Sequence, residues 1–111
     1  MTALEGVLNA TTGAVEFGVV GRSKKSFHFA FGTPPVVFSQ GTKRGSASIW
    51  VADRNKKSLL VFEAEPDREG NLELIDKFQI GSPAKFTHPV AAHGTVYMAT
   101  GEGNLIAIAN V

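Results

Sequence analysis

The sequence predicts an all-β fold, and three observations carry that expectation. Gly, Pro, Asn, Asp and Ser interrupt the 111-residue chain about every six to ten positions, so no apolar stripe of 3.6-residue period runs long enough to make a helix. The stretches between interruptions are apolar or alternating, which is the signature of strands. One order of events also occurs twice. Thr33-Pro34-Pro35-Val36-Val37, then Ile49-Trp50-Val51-Ala52-Asp53, a polar turn and Ser58-Leu59-Leu60-Val61-Phe62-Glu63-Ala64 return as the last 25 residues, THPVAAHGTVYMATGEGNLIAIANV.

Taken in order, residues 1–13 end in Leu8-Asn9-Ala10-Thr11-Thr12-Gly13, a turn that closes a strand, and AVEFGVV over residues 14–20 is the strand that follows. Gly21 to Ser26 is a solvated turn. Phe27-His28-Phe29-Ala30-Phe31 alternates with period 2, as a half-buried extended segment does. Pro34 and Pro35 offer no backbone donors, so residues 32–35 form a lead-in loop to Val36-Val37-Phe38-Ser39. Residues 40–48, with Gly41, Gly45 and Lys43-Arg44, are a loop; 49–53 and 59–64 are strands joined by the polar turn Arg54-Asn55-Lys56-Lys57. After the acidic loop 65–71, LELIDKFQI over residues 72–80 places Leu72, Leu74, Phe78 and Ile80 on one face of a strand, with Asp76 an exception on the same register. Residues 81–86 lead back to Thr87-His88-Pro89.

The repeat has a measurable period. Thr33-x-Pro35-Val36 returns at Thr87-x-Pro89-Val90, an offset of 54 residues, and Leu59-Leu60-x-Phe62 at Leu105-Ile106-x-Ile108, an offset of 46. The difference of eight is assigned to the longer loop at residues 40–48. A period of roughly 40–55 residues with four strands each belongs to β-propeller blades. The chain then divides into the end of one blade (residues 1–20), a full four-stranded blade (33–80) and the first three strands of another (87–111), about two blades within a single partial propeller. Near-continuous apolar runs such as Leu59–Phe62 suit strands covered on both faces. Trp50 and the phenylalanines serve as packing between blades. A small β-barrel or sandwich shares many of these features and stands as the alternative.

Composition narrows the partners. Hydrophobic residues make up 43% and charged residues 19% of the chain, the balance of a folded globular domain. Eleven Lys and Arg against ten Asp and Glu leave a formal charge of +1, so no global field draws the protein to nucleic acid or an acidic membrane. Without cysteine, disulfides, thiolate catalysis and Cys-type zinc sites are excluded. No apolar run approaches the ~20 residues that span a bilayer, and the first residues show neither the basic nor the apolar region of an export signal.

Thr87-x-Pro89-Val90-Ala91-x-x-Gly94-x-Val96-Tyr97-x-x-Thr100-x-x-Gly103-x-Leu105-x-Ala107, with Leu8-Asn9-Ala10-Thr11-Thr12-Gly13, resembles the repeats of quinoprotein-like (pyrroloquinoline-quinone-type) β-propellers, and in particular their C-terminal blades. The resemblance covers most of residues 33–111 and implies an extracellular or periplasmic setting. Enzymes of that family use complete propellers of about eight blades, a calcium ion near the cofactor, an aspartate base and tryptophan docking motifs. This chain has one Trp and none of those motifs in recognisable form, so no catalytic, cofactor-binding or metal residue is carried over to it.

The residues themselves agree with that restraint. His88 and His93 lie five apart across a strand and point to opposite faces if it is regular, which suits a lead-in loop and a hairpin turn better than a shared metal. His28 sits among phenylalanines. Gly101-Glu102-Gly103 lacks the strand-to-helix context of a phosphate loop and reads as a hairpin turn. Ser39 and Ser46 have no partner pattern for a nucleophile, Asp53 before Arg54-Asn55 is turn chemistry, and Lys24-Lys25, Lys43-Arg44 and Lys56-Lys57 are dispersed in turns. Asn9-Ala10-Thr11 is a glycosylation sequon, which matters in a secreted eukaryotic setting.

Two blades leave both flanking faces uncovered, and exposed apolar faces of that extent normally find a partner. The expectation is therefore a non-catalytic β-propeller repeat module for binding or assembly, partnered by the remaining blades of a larger propeller or by self-association, with no cofactor. The alternative is a fragment of a quinone-dependent alcohol or sugar dehydrogenase, which would bring pyrroloquinoline quinone and calcium. The sequon and the resemblance also hint at a carbohydrate-associated secreted protein.

Overall fold

The structure, a computed structural model, describes residues 1–23, 34–53, 57–82 and 88–109. The described residues form nine strands and no helix: β1 (Thr2–Leu8), β2 (Val15–Arg22), β3 (Val36–Phe38), β4 (Ser48–Asp53), β5 (Ser58–Glu63), β6 (Leu74–Gln79), β7 (Val90–Ala92), β8 (Thr95–Ala99) and β9 (Leu105–Ala109). They make three antiparallel sheets, none of them closed, ordered β1-β2, β3-β4-β5-β6 and β7-β8-β9. Every pairing among the described strands joins neighbours in the chain. The all-β expectation holds. The segment from Phe27 to Phe31, Lys24-Lys25, Thr33, the turn residues Arg54, Asn55 and Lys56, and Thr87 lie outside the described residues.

Alternation explains why the four-stranded sheet is central. Along β4 and β5 every residue but the last is apolar or small, and neighbouring side chains point to opposite faces. Trp50, Ala52, Leu59 and Val61 form one buried cluster with Ile80, Val96 and Met98, while Ile49, Val51, Leu60 and Phe62 form another with Leu72. The first cluster joins the central sheet to β8, and Ile106 and Ile108 of β9 pack on it. The second is met by Met1 and Ala64. A sheet buried on both faces explains the unbroken apolar reading of these strands.

The expected face of residues 72–80 needs correction. Val61 pairs with Asp76 but Phe62 with Leu74, so Ile75 is an extra residue on β6. A β-bulge of this kind switches which face the following side chains take. Phe78 and Ile80 therefore join the Trp50 cluster and Leu72 the Phe62 cluster, and Asp76, which looked out of place, sits in an exposed position beyond the switch. The extra length of the first repeat is divided between two loops. Val36 pairs with Trp50 where Val90 pairs with Tyr97, and Ala52 pairs with Leu59 where Ala99 pairs with Leu105. Seven of the eight extra residues thus lie between β3 and β4, and one between β4 and β5.

Among the described residues the N-terminal hairpin is tied down at its foot. Arg22 N–H donates to Gly70 O at 2.9 Å and Leu72 N–H to Arg22 O at 2.9 Å, forming a short parallel bridge, while Ser23 N–H donates to Met1 O at 2.9 Å. Gly21 is required there, because a Cβ would lie 2.5 Å from Pro66 Cγ. The pairs Leu4 with Val19, Gly6 with Phe17 and Leu8 with Val15 put five apolar side chains on one face. The Phe17 ring lies over Gly6, its Cε1 only 3.1 Å from where a Cβ would stand. Phe17 is 70% exposed, so it departs from the expectation that the phenylalanines pack between sheets; Phe62 is buried and Phe38 and Phe78 are half-buried.

Candidate functional site

The candidate site is a face of the C-terminal sheet, whose strand pairing repeats that of the central sheet. Trp50 pairs with Val61 as Tyr97 pairs with Ala107, and Ala52 with Leu59 as Ala99 with Leu105. On the other face, Ile49 pairs with Phe62 as Val96 with Ile108, and Val51 with Leu60 as Met98 with Ile106. The two sheets are one design at two places in the chain. Trp50 and its face are covered by Val96 and Met98, yet the same face one repeat later is open. Tyr97 and Leu105 are 37% and 69% exposed, and Val90, Ala99, Ala107 and Ala109 are exposed with them. Among the described residues no charged side chain stands on this face.

The covered junction shows what such a face is built to receive. Trp50 stacks on Phe78 with ring centroids 5.8 Å apart and planes 4° apart, tilts against Phe38 at 6.1 Å, and donates its indole N–H to Ser48 Oγ at 2.9 Å. Its polar atom is satisfied inside the junction, as a buried Trp requires.

Of the histidines, His93 and Gly94 have φ of 51° and 74° and form the two-residue β7–β8 turn, the geometry of a type I′ hairpin. His88 precedes β7 with Nδ1 3.1 Å from Pro89 O. Neither belongs to the three-residue strand between them, and His28 lies outside the described residues. Among the described residues no group of three or more His, Asp or Glu side chains converges to hold a metal ion.

Ser39, Ser46 and His93 line one cleft of about 370 Å³ between the central and C-terminal sheets, a grouping that linear spacing did not reveal. Both hydroxyls are committed to the loop. Ser46 Oγ donates to Lys43 O at 2.6 Å and accepts from Gln40 N–H at 3.0 Å, and Ser39 Oγ donates to Gly41 O at 3.2 Å. Lys43 and Arg44 are exposed in that loop. A second cleft, of about 440 Å³, is bordered by Trp50, Phe78, Glu63 and Asp76.

Gly101-Glu102-Gly103 is the β8–β9 turn, and its glutamate has a task that spacing did not show. Glu102 Oε1 accepts the Ser82 N–H at 3.0 Å while Gly101 N–H donates to Ser82 O at 2.8 Å. Gly81 allows the approach, since a Cβ there would meet Glu102 Oε2 at 2.6 Å. The Ser82 amide, with Thr100 and the Lys57 charge, holds the Glu102 carboxyl below its ordinary value. This clasp links the end of the central sheet to the C-terminal one. Asp53 is fully buried as the last residue of β4; Thr100 holds the matching place and accepts the Asn104 N–H at 3.2 Å. At the hairpin tip Asn9 Oδ1 accepts the Thr11 and Thr12 amides at 2.9 and 3.2 Å, and its Nδ2 donates to Glu16 Oε1 at 3.0 Å. Set against protein families, curated proteins and solved structures, the chain finds no match.

Proposed function

We propose that this chain is a non-catalytic repeat module of the β-propeller kind, whose activity is binding or assembly through stacked sheet faces. The observation that carries this reading is the register identity of Trp50 and Tyr97 on sheets of which one is covered and the other is not. A face patterned for burial is stable in water only at a cost. Tyr97, Val90 and Leu105 are already partly covered, so burying what remains exposed would return roughly 0.5–2 kcal/mol for each side chain, a drive toward a partner sheet. The committed hydroxyls of Ser39 and Ser46 and the turn roles of His93 and Glu102 support a structural rather than a chemical use of the polar residues. The resemblance to quinoprotein-like repeats agrees with the stacking of sheets in chain order.

Light scattering on the purified chain, with circular dichroism on the same sample, tests this reading. A folded β protein at a multiple of the monomer mass is the expected result. A folded chain that stays monomeric at high concentration would sink it.

A further inference from the structure

Resting on the module reading, we propose that the partner of the open β7–β9 face is the β1–β2 hairpin of a second copy of this chain. Two exposed apolar sheet faces exist among the described residues. One is the outer face of the C-terminal sheet; the other is the hairpin face carrying Leu4, Leu8, Val15, Phe17 and Val19, each more than half exposed. On the central sheet β4 and β5 are buried on both faces, and the apolar edge residues Val37 and Leu74 of the Ile49 face stay exposed.

The two faces match in chemistry, length and relief. Neither carries a charge, whereas the reverse face of the hairpin carries Glu5 and Glu16. Leu4 to Leu8 and Val15 to Val19 each span five residues, as do Thr95–Ala99 and Leu105–Ala109, so both patches are about 17 Å long. Relief is set by substitutions within the repeat. Where the central sheet has Trp50, Val61 and Glu63, the open face has Tyr97, Ala107 and Ala109. Ala99 and Ala107 leave a shallow floor between Tyr97 and Leu105. Phe17, whose ring lies against the sheet over Gly6 yet stays 70% exposed, supplies a flat aromatic surface of the size such a floor accepts, and contact between inner faces of this kind is how sheets pack.

The chain cannot cover itself. The hairpin foot meets the central sheet on the Ile49 and Leu72 side, through Met1 and the cleft at Leu4 and Ile49. The C-terminal sheet lies on the opposite side, the side of Trp50. A hairpin from a neighbouring molecule meets no such obstacle, and the contact it makes is head-to-tail.

A head-to-tail contact has a distinctive test. Phe17→Asp spoils the hairpin face and Ala107→Glu the sheet face, both at exposed positions, so the circular dichroism of the wild type is retained. Light scattering should find each variant alone monomeric. An equimolar mixture should form a 1:1 dimer, because the first variant keeps an intact sheet face and the second an intact hairpin face. A mixture that stays monomeric overturns the contact. A wild-type assembly that neither variant disturbs also overturns it while leaving the module reading in place; a wild-type monomer overturns both.

Discussion

Trp50 and Tyr97 occupy the same register position in successive sheets, yet Trp50 is 2% exposed and Tyr97 is 37% exposed. Equivalence of place is therefore separable from equivalence of burial. Trp50→Ala should destabilise the chain by about 3–5 kcal/mol, as large-to-small changes in a packed core do. Tyr97→Ala should cost about 1 kcal/mol or less in dilute solution. Urea unfolding of the two variants checks the contrast; equal losses would mean that Tyr97 is covered.

The Glu102 clasp gives a pH signature. Its carboxyl is held below the ordinary 4.5, so the stabilisation it contributes is full above that pH and is lost as pH falls through the lower folded-state value. Glu102→Gln should remove this acid-sensitive component, flattening the fall in Tm between about pH 5 and pH 3 relative to the wild type. An unchanged pH profile would show that Glu102 is free in solution.

Close approach at the hairpin foot predicts a glycine requirement. Gly21→Ala sets a methyl against the rigid Pro66 ring and should cost about 1–3 kcal/mol through overpacking. Gly18→Ala, with nothing within 4 Å of the new methyl, is the matched control and should be neutral or slightly stabilising. Thermal unfolding distinguishes them.

At the β7–β8 turn both central residues have positive φ. Gly94→Ala should cost about 1–2 kcal/mol, whereas His93→Asn should preserve or raise stability because Asn accepts that conformation more readily than His. A Tm lowered equally by both changes would argue against the type I′ geometry.

Much of this architecture was legible because its information is local. The Thr-x-Pro-Val lead-in and the spacing of Leu59 and Leu105 identified equivalent strands, and the alternation along β4 and β5 identified a sheet with two buried faces. The bulge at Ile75 was not legible, since an extra residue leaves no mark in composition; misplaced Asp76 was its only trace. Nor was the clasp of Glu102 on Ser82, which joins turns twenty residues apart and depends on how two sheets meet. Uncovered flanking faces were expected on both sides, because two blades lack neighbours; that Phe17 would stand on one of them was not legible, since it reads in sequence like any other core phenylalanine.

The strictly consecutive strand order carries a kinetic consequence. Each sheet closes over short loops, so the entropic barrier to forming any one of them is small for a β protein. Opening should be graded in the same way. Amide hydrogens of β1 and β2 beyond the foot of the hairpin should exchange first, those of β7–β9 next, and those of β4 and β5, shielded on both sides, only with global unfolding. A partner seated on β8 and β9 would slow the second class without touching the third, so the lifetime of single amides such as that of Tyr97 becomes a clock for occupancy.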